Sequence, residues 1–522
     1  MTIPTSDNLA PHIETVDDRR ILFVDGVPFT VLTVEIPWKQ SVFGRYRETM
    51  SGYDHLYPAA RSLQLNALKV PIKWSQIEPE EGEYDFSYVD HVIDTARAND
   101  LRLVLGWFGH YASGDGSIYR NLTTELFAPM YIVEDAERYP RAVDANGVAH
   151  HNAASYADSP IVERECAAFA TFMQHIRDRD EGEYTVLMIQ VENEIATFGL
   201  LRQERSMWRD HHEAATSLFE EWGEDELSFS ARLMARRWIR PLTDAGKAVY
   251  PLPLFCNFVG GRLADHIVGG SPGEDVAIYL EECSNLDFIG LNLYVENDVT
   301  VADFRENLDR YRIGRNMVSV TETNSDAGPV LPRLCFDAIA RYASPIIAPW
   351  ALNVSYPTPY EPYVLADGTP ANGAEALRAT YGAIAMAAAP IAAYGGTDRL
   401  VAIVPPRPGR PHSGVLDLAG AEVRFSCAAD GRLMVIRPTN DEFVVIGCRG
   451  SISVPTPAAR WPACREVRAD RGYYEGTEFV PTGEPEWFAL DQTTSTVSVS
   501  LSGPAVIRLR LHSASDRERL SS

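Results

Sequence analysis

The stretch YTVLMIQVENE, residues 184–194, decides the fold class because it starts as an unbroken apolar run and ends in Glu192, Asn193 and Glu194. A continuous apolar run predicts a strand buried on both faces, as in a parallel sheet. In an α/β barrel, catalytic side chains lie at the carboxyl end of such a strand. The Asn-Glu pair indicates sugar chemistry, because the glutamate can protonate a leaving oxygen while the asparagine amide hydrogen-bonds a neighbouring sugar hydroxyl.

Seven further apolar runs recur along the chain, and segments with helical spacing separate them. The first run ends at Glu35, and the others are residues 65–74, 101–108, 252–258, 286–294, 316–324 and 344–352. Strand-helix alternation without a GxGxxG turn favours an α/β fold of the (β/α)8 TIM barrel type over a doubly wound nucleotide-binding sheet. In such a barrel Glu194 ends the fourth strand and Glu322 ends the seventh.

Changes in polarity and in hydrophobic periodicity divide the chain into four parts. Residues 1–20 are polar and predict a loose N-terminal arm, and residues 21–399 hold the catalytic barrel, which opens with a hairpin signal at Asp25-Gly26. From residue 400 onward, period-two alternation predicts an all-β, sandwich-like domain over residues 400–514. Residues 515–522 predict a disordered tail. Within the barrel, residues 109–160 predict a long polar loop, which at this length is usually functional.

Charge and cysteine content limit the partners and the location of the protein. The 522 residues include 47 basic and 72 acidic side chains, a formal net charge of −25. This argues against nucleic acid or an anionic membrane as partner, because both need basic patches. We see no signal peptide and no run long enough to span a bilayer. Seven scattered cysteines without a CxxC predict a reducing, cytoplasmic location. The sequence is compatible with a homo-oligomer.

Glycoside hydrolysis needs two carboxyl groups around the anomeric carbon, one protonated as general acid and one ionised as nucleophile or base. Glu194 and Glu322 would both point into the barrel mouth, where two nearby carboxylates resist joint ionisation. Either glutamate alone is more often an ordinary solvated residue, but their places on strands four and seven favour catalysis. No metal or organic cofactor is expected, because the adjacent histidine pairs of the chain do not share a face. The expected partner is an oligosaccharide or β-glycoside substrate.

A saccharide site needs aromatic faces for the C–H groups of the sugar and polar side chains for its hydroxyls. The aromatic candidates at the predicted strand ends are Trp74, Trp107, Tyr294 and Trp350. The polar candidates at the same ends are Glu35, Lys73, Asn193, Asn292 and Asn324. Each tryptophan taken alone is as often a core residue as a binding residue.

Several motifs resemble glycoside hydrolase family 35, the β-galactosidase family of clan A, in its bacterial branch with a C-terminal β domain of unknown function. They include ALKVPIKWSQIEPEEGEYDFSYVD (67–90), IQVENEIATFG (189–199) and VTETNSDAG (320–328). The resemblance extends over nearly the whole chain and is weakest in the C-terminal part.

The resemblance implies a retaining mechanism with Glu194 as acid/base and Glu322 as nucleophile. It also implies that Asn193 holds the 2-hydroxyl of the sugar, that Tyr294 supports the nucleophile, and that Glu35 lies beside the glycone. The chain is therefore expected to be a retaining exo-β-glycosidase, with β-galactosidase as the leading specificity.

Two segments depart from that branch, EIPWK (35–39) and GHYAS (109–113). Both would lie where the glycone or the first leaving-group sugar binds, which makes His110 a candidate substrate-binding residue. The departures keep two alternatives open, a β-glucosidase and a transglycosylase that acts on oligosaccharides with the same two glutamates. A non-catalytic saccharide-binding barrel is the hypothesis from another class.

Overall fold

A computed structural model describes most of the chain and contains the predicted barrel and β domain. The described residues are 3–36, 53–109, 127–158, 160–195, 198, 205–260, 275–295, 298–325, 330–353, 361–456, 466–491 and 493–512. The strands of the N-terminal part are β1 (His12–Val16), β2 (Arg19–Val24), β3 (Val27–Pro28), β4 (Val31–Leu32), β5 (Ala67–Lys73), β6 (Arg102–Phe108), β7 (Arg141–Val143), β8 (Ala149–Ala154), β9 (Val186–Val191), β10 (Leu254–Val259), β11 (Phe288–Asn292), β12 (Val320–Asn324) and β13 (Ile346–Trp350).

Eight of these strands form a parallel sheet in the order β4-β13-β12-β11-β10-β9-β6-β5. The ring closes at Glu35, which bridges in parallel to both Lys69 and Trp350. All the residues of β5 and β9 are buried, as expected of strands covered on both faces. The (β/α)8 barrel predicted from the sequence is confirmed, and so is the order that places Glu194 after the fourth strand and Glu322 on the seventh.

Helices surround the barrel and connect its strands. They are α1 (Leu56–Ser62), α2 (Trp74–Ile77), α3 (Ser87–Ala98), α4 (Met130–Glu134), α5 (Pro160–Asp180), α6 (Glu213–Trp222), α7 (Glu226–Met234), α8 (Arg240–Val249), α9 (Val276–Glu282), α10 (Val301–Arg310), α11 (Leu331–Tyr342), α12 (Ala374–Ala385) and α13 (Ala388–Tyr394), with a π-helix at Ala235–Ile239 between α7 and α8. The segment 109–160, predicted as a loop, contains α4 and the β7–β8 hairpin in its described part.

The N-terminal residues close the bottom of the barrel. Strand β1 pairs antiparallel with β2, and β2 pairs with β3 across the predicted Asp25-Gly26 turn. Leu22 and Val24 of β2 pack with apolar side chains at the starts of the barrel strands, among them Val104 and Phe255. The loose arm predicted for residues 1–20 is therefore wrong from His12 onward, because backbone pairing and this apolar contact order the segment.

The C-terminal part is antiparallel and has a core of its own, as predicted. Its strands are β14 (Leu400–Ile403), β15 (His412–Leu418), β16 (Ala421–Thr439), β17 (Glu442–Pro455), β18 (Glu466–Glu475), β19 (Glu478–Gly483), β20 (Trp487–Asp491), β21 (Thr496–Leu501) and β22 (Ala505–His512). Val423, Val445 and Val499 belong to the separate core. Met434 and Val444 face the other way and join the core around the barrel, so the two parts share a packed interface. The boundary at residue 400 stays a prediction.

No single helix in the described ranges is long and apolar enough to cross a membrane, and only the bent pair α12 and α13 reaches that length and composition together. The six described cysteines are free.

Candidate active site

The carboxylate of Glu322 lies at the centre of the barrel mouth and meets three donors. Its Oε2 accepts a hydrogen bond from the Tyr294 hydroxyl at 3.0 Å, and its Oε1 accepts one from Asn257 Nδ2 at 3.2 Å. Lys69 Nζ lies 3.4 Å from the same Oε1. Glu322 is only 5% exposed. A carboxylate accepts hydrogen bonds and attracts cations, so this environment suits the ionised side chain.

Lys69 links Glu322 to a third carboxyl group, that of Glu35. Lys69 Nζ lies 2.6 Å from Glu35 Oε2 and donates to the backbone oxygen of Thr321 at 3.1 Å. Burial raises the pKa of Glu35 to about 7, with Lys69 opposing the shift and Glu322 adding to it. Burial alone would lower the pKa of Lys69, but the two carboxylates outweigh it and the pKa is raised. The ammonium group therefore stays charged between them.

Glu194 has a different environment from Glu322. Burial raises the pKa of Glu194 to about 8, and the negative charge of Glu322 adds to the shift. Its Oε1 accepts a hydrogen bond from Asn292 Nδ2 at 3.1 Å, and its backbone N–H donates to Asn257 Oδ1 at 2.8 Å. Glu194 therefore holds a proton at neutral pH, which is the state that a general acid requires.

Asparagine side chains join the two glutamates. Asn257, on the fifth barrel strand, contacts Glu322 and the backbone of Glu194, and its Nδ2 also donates to Asn193 Oδ1 at 2.8 Å. Gln190 Nε2 donates to the same Asn193 oxygen at 3.1 Å. These contacts fix the plane of the Asn193 amide beside the two carboxyl groups.

The structure places Trp74 and Trp107 in the core around the barrel and not at its mouth, so their prediction as sugar-binding residues is wrong. Both are fully buried. Trp107 packs on Phe169 and Phe172 of α5, and the indole of Trp74 donates to Glu78 Oε2 at 2.7 Å. For Trp107 the reason is strand parity, because alternate side chains of a strand point to opposite faces and Trp107 points outward. Trp74 lies after the end of β5, at the start of α2.

The remaining predicted binding residues are Trp350, Asn324, Lys73 and His110. Trp350 is half-buried at the end of β13, in register with Asn324. Asn324 exchanges two hydrogen bonds of 3.0 Å with the backbone of Val295, and Lys73 lies 5.1 Å from the centre of the Phe127 ring. His110 lies outside the described residues, as does most of the segment 35–39.

Sequence reasoning missed Lys69, Asn257 and Gln190, although each lies in a strand that it identified. All three are polar residues inside apolar runs. The period-two alternation of β5 puts Ala67, Lys69 and Pro71 on one face, and this parity could have revealed Lys69. No group of three or more His, Cys, Asp and Glu side chains suited to a metal ion occurs in the described ranges.

Comparison with known proteins points to β-galactosidases. The glycoside hydrolase family 42 model, described as beta-galactosidase, matches residues 57–239, less than half of the chain. The match includes Lys69 and Glu194 but ends before Glu322. The matching model is thus that of family 42, and the expected family 35 is not supported. No curated protein sequence is significantly similar to the chain.

Comparison with solved structures finds similarity at low sequence identity. The β-galactosidase from the psychrophilic Marinomonas ef1 is 12% identical with a TM-score of 0.49, over 68% of this chain and 60% of that chain. The β-galactosidase from Bacillus circulans sp. alkalophilus is 11% identical with a TM-score of 0.49, over 69% of this chain and 57% of that one. The catalytic domain of β-amylase from Paenibacillus polymyxa is 10% identical with a TM-score of 0.50, over 66% and 96%.

The chain thus spans about 60% of the length of the Marinomonas β-galactosidase. The similarity to the β-amylase domain supports the fold and nothing more. The family match is to glycosidases, and it covers the barrel strands from β5 to β9 together with Glu194.

Proposed function

We propose that the protein is a retaining exo-β-glycosidase that hydrolyses terminal β-linked sugars, with β-galactosidase as the leading specificity. The observation that carries this proposal is the contrast between two carboxyl groups of one hydrogen-bonded network. Glu194 holds a proton at neutral pH, whereas Glu322 lies against Lys69, Asn257 and Tyr294. Such different environments suit two carboxyl groups to the roles of acid and nucleophile in a double displacement.

In the first step, Glu322 attacks the anomeric carbon while the glycosidic C–O bond breaks. Glu194 gives its proton to the leaving oxygen, which departs as an alcohol. In the second step, the ionised Glu194 takes a proton from water, the water oxygen attacks the anomeric carbon, and the bond to Glu322 breaks. The sugar leaves with its configuration retained, and Glu194 again holds its proton.

The neighbouring side chains bind and orient the sugar. Asn193, whose amide plane is fixed by Asn257 and Gln190, holds the 2-hydroxyl. Glu35 accepts hydrogen bonds from glycone hydroxyls while Lys69 balances its charge. Trp350 offers a half-buried ring at the end of the eighth strand. The galactose preference rests on the family model, which is described as beta-galactosidase.

A panel of aryl β-glycosides with galacto, gluco, xylo and fuco glycones tests the proposal. We expect the highest kcat/KM with the galactoside. Glu322→Gln and Glu194→Gln should each lose about a thousandfold or more with a poor leaving group. The matched control is Glu375→Gln, which changes an exposed carboxylate paired with Arg378 and should leave activity unchanged. Wild-type activity in Glu322→Gln, or binding without turnover across the panel, would overturn the proposal.

A further inference from the structure

A second carboxyl pair, Glu165 and Glu192, lies behind the turn that carries Glu194, and the proposed reaction does not use it. Glu165 lies on α5 and Glu192 directly follows β9, and both are fully buried. Their side chains are hydrogen-bonded to each other. A hydrogen bond between two carboxyl groups requires one proton, so one partner is a neutral acid and the other a carboxylate.

The surrounding donors indicate which partner is the carboxylate. Glu165 Oε1 accepts a hydrogen bond from Trp107 Nε1 at 3.0 Å, and Glu165 Oε2 accepts one from Trp238 Nε1 at 2.8 Å. An indole N–H can only donate, so both oxygens of Glu165 act as acceptors. Burial raises the pKa of Glu165, and the hydrogen bonds from Glu192 and the two indoles oppose that shift.

Glu192 has the complementary pattern of a neutral acid. Its Oε1 accepts a hydrogen bond from the backbone N–H of Gly109 at 2.9 Å. A neutral carboxyl group can accept at one oxygen and donate from the other, so Glu192 can bond Gly109 and Glu165 at once. A Cβ at position 109 would lie 2.0 Å from Glu165 Oε1, so a residue other than glycine there would displace this carboxyl group.

The pair is coupled to the acid/base residue through the backbone. Glu192 and Glu194 have φ angles of 66° and 47°, in the left-handed region that residues with a side chain rarely adopt. Such a conformation persists where surrounding contacts hold it. The backbone N–H of Glu192 donates to Trp107 O at 2.9 Å, and Gln190 Nε2 donates to Glu192 O at 3.0 Å. The side-chain contacts of Glu192 complete this set.

We propose that Glu192 is a protonated positioning residue, which donates a hydrogen bond to the Glu165 carboxylate and thereby fixes the turn that presents Glu194. Neither member of the pair touches the substrate. The effect on turnover rests on the proposed function, whereas the protonation of Glu192 does not.

Amide substitutions test the direction of the hydrogen bond. Glu192→Gln keeps an acceptor for Gly109 and a donor for Glu165, so we expect it to retain most of kcat, whereas Glu192→Leu removes both groups. Glu165→Gln replaces one accepting oxygen with an amide NH2 group, which cannot accept a hydrogen bond from an indole N–H. We expect Glu165→Gln and Glu192→Leu to lower kcat about tenfold or more while KM changes less than about twofold. The reverse order, with Glu165→Gln tolerated and Glu192→Gln impaired, would overturn the proposal.

Infrared difference spectra test the proton without any activity assay. At neutral pH the wild-type minus Glu192→Gln spectrum should contain the carbonyl stretch of one neutral carboxyl group. Absence of that band would overturn the proposal even if Glu165→Gln fails to fold. A wild-type protein that hydrolyses no glycoside but shows the band would refute the proposed function and support the protonated pair.

Discussion

The ammonium group of Lys69 lies 3.4 Å from the carboxylate of Glu322, and both side chains are buried. The same ammonium lies 2.6 Å from Glu35. One cation therefore contacts two carboxyl groups at the floor of the site. Buried charges of this kind depend strongly on their partners, because removing one partner leaves an uncompensated charge in a medium of low dielectric constant.

Replacing Lys69 with methionine should damage both stability and activity. Without the cation, Glu35 and Glu322 face each other uncompensated, so we expect the free energy of unfolding to fall by about 3–5 kcal/mol. We expect kcat/KM to fall by about a hundredfold or more, because the nucleophile loses a charged partner. Denaturant titration and steady-state kinetics measure the two effects. Lys247→Met, which removes a partly exposed partner of Asp287, is the control and should leave kcat/KM unchanged.

Tyr294→Phe should lower turnover while the protein stays folded. The variant removes the hydroxyl that donates to Glu322 Oε2 at 3.0 Å, and we expect kcat to fall about tenfold to a hundredfold. Tyr381→Phe is the matched control, because its buried hydroxyl bonds only backbone oxygens of Thr33 and Ile347 among its described partners. That control should lose about 1 kcal/mol of stability and keep its kcat. Equal kinetic effects in both variants would contradict the role of Tyr294.

The pH dependence of kcat/KM should have a basic limb set by Glu194. Its pKa is raised to about 8, and a general acid works in its protonated form. Activity should therefore fall as pH rises through about 8. In Glu194→Gln, assayed with a leaving group that needs no protonation, this limb should disappear. A limb that persists in the variant belongs to another group.

The stability of the protein, like its activity, should fall as pH rises through the raised pKa of Glu194. Because folding raises the pKa of Glu194 above its ordinary value of 4.5, the folded state binds the proton more tightly than the unfolded chain. The resulting stabilisation is complete below about pH 4.5 and is lost as pH rises through about 8. Glu194→Gln has no carboxyl group to ionise at this position, so its stability lacks this dependence on pH. Between pH 6 and pH 9, roughly the range around the raised pKa, the difference in Tm between variant and wild type should shift in favour of the variant. A constant difference would contradict the raised pKa.

Two tryptophans should respond differently to substitution. Trp107 is fully buried against α5, so Trp107→Ala should lose about 3–5 kcal/mol of stability. Trp350 is half-buried at the mouth, and Trp350→Ala should raise KM with a smaller loss of stability. Thermal unfolding and kinetics on the same preparations distinguish the two. A larger stability loss in Trp350→Ala, without a change in KM, would assign Trp350 to the core.

The sequence predicted the elements that depend on local pattern. Apolar runs located the barrel strands, and abrupt polar endings located Glu194 and Glu322, because the carboxyl ends of parallel strands meet at one face. Period-two alternation likewise located the C-terminal β domain. The pairing of β1 with β2 was missed because residues 12–16 are mostly polar and are ordered by a partner strand.

Side-chain direction was harder to predict than strand position. Trp107 lies next to the end of an apolar run, yet its place in the alternation of the strand directs it away from the mouth. Lys69 lies earlier in its strand and points inward. The role of Asn257 depends on contacts with Glu194, which follows the fourth barrel strand, and with Glu322 on the seventh, 63 and 65 positions away. Glu165 lies in a charged stretch of a helix, where nothing local indicates burial. Such contacts between distant segments exist only after the barrel closes.

Trapping of the glycosyl-enzyme tests the proposed mechanism most directly. The wild-type protein is incubated with a 2-deoxy-2-fluoro-β-galactoside that carries a good leaving group. The fluorine destabilises the positively charged transition states of both steps, and the good leaving group keeps the first step fast enough for the glycosyl-enzyme to accumulate. We predict stoichiometric inactivation, with the sugar mass found on the peptide that contains Glu322. A label on another carboxylate, or hydrolysis that inverts the anomeric configuration with no label, would contradict the assignment of Glu322 as the nucleophile.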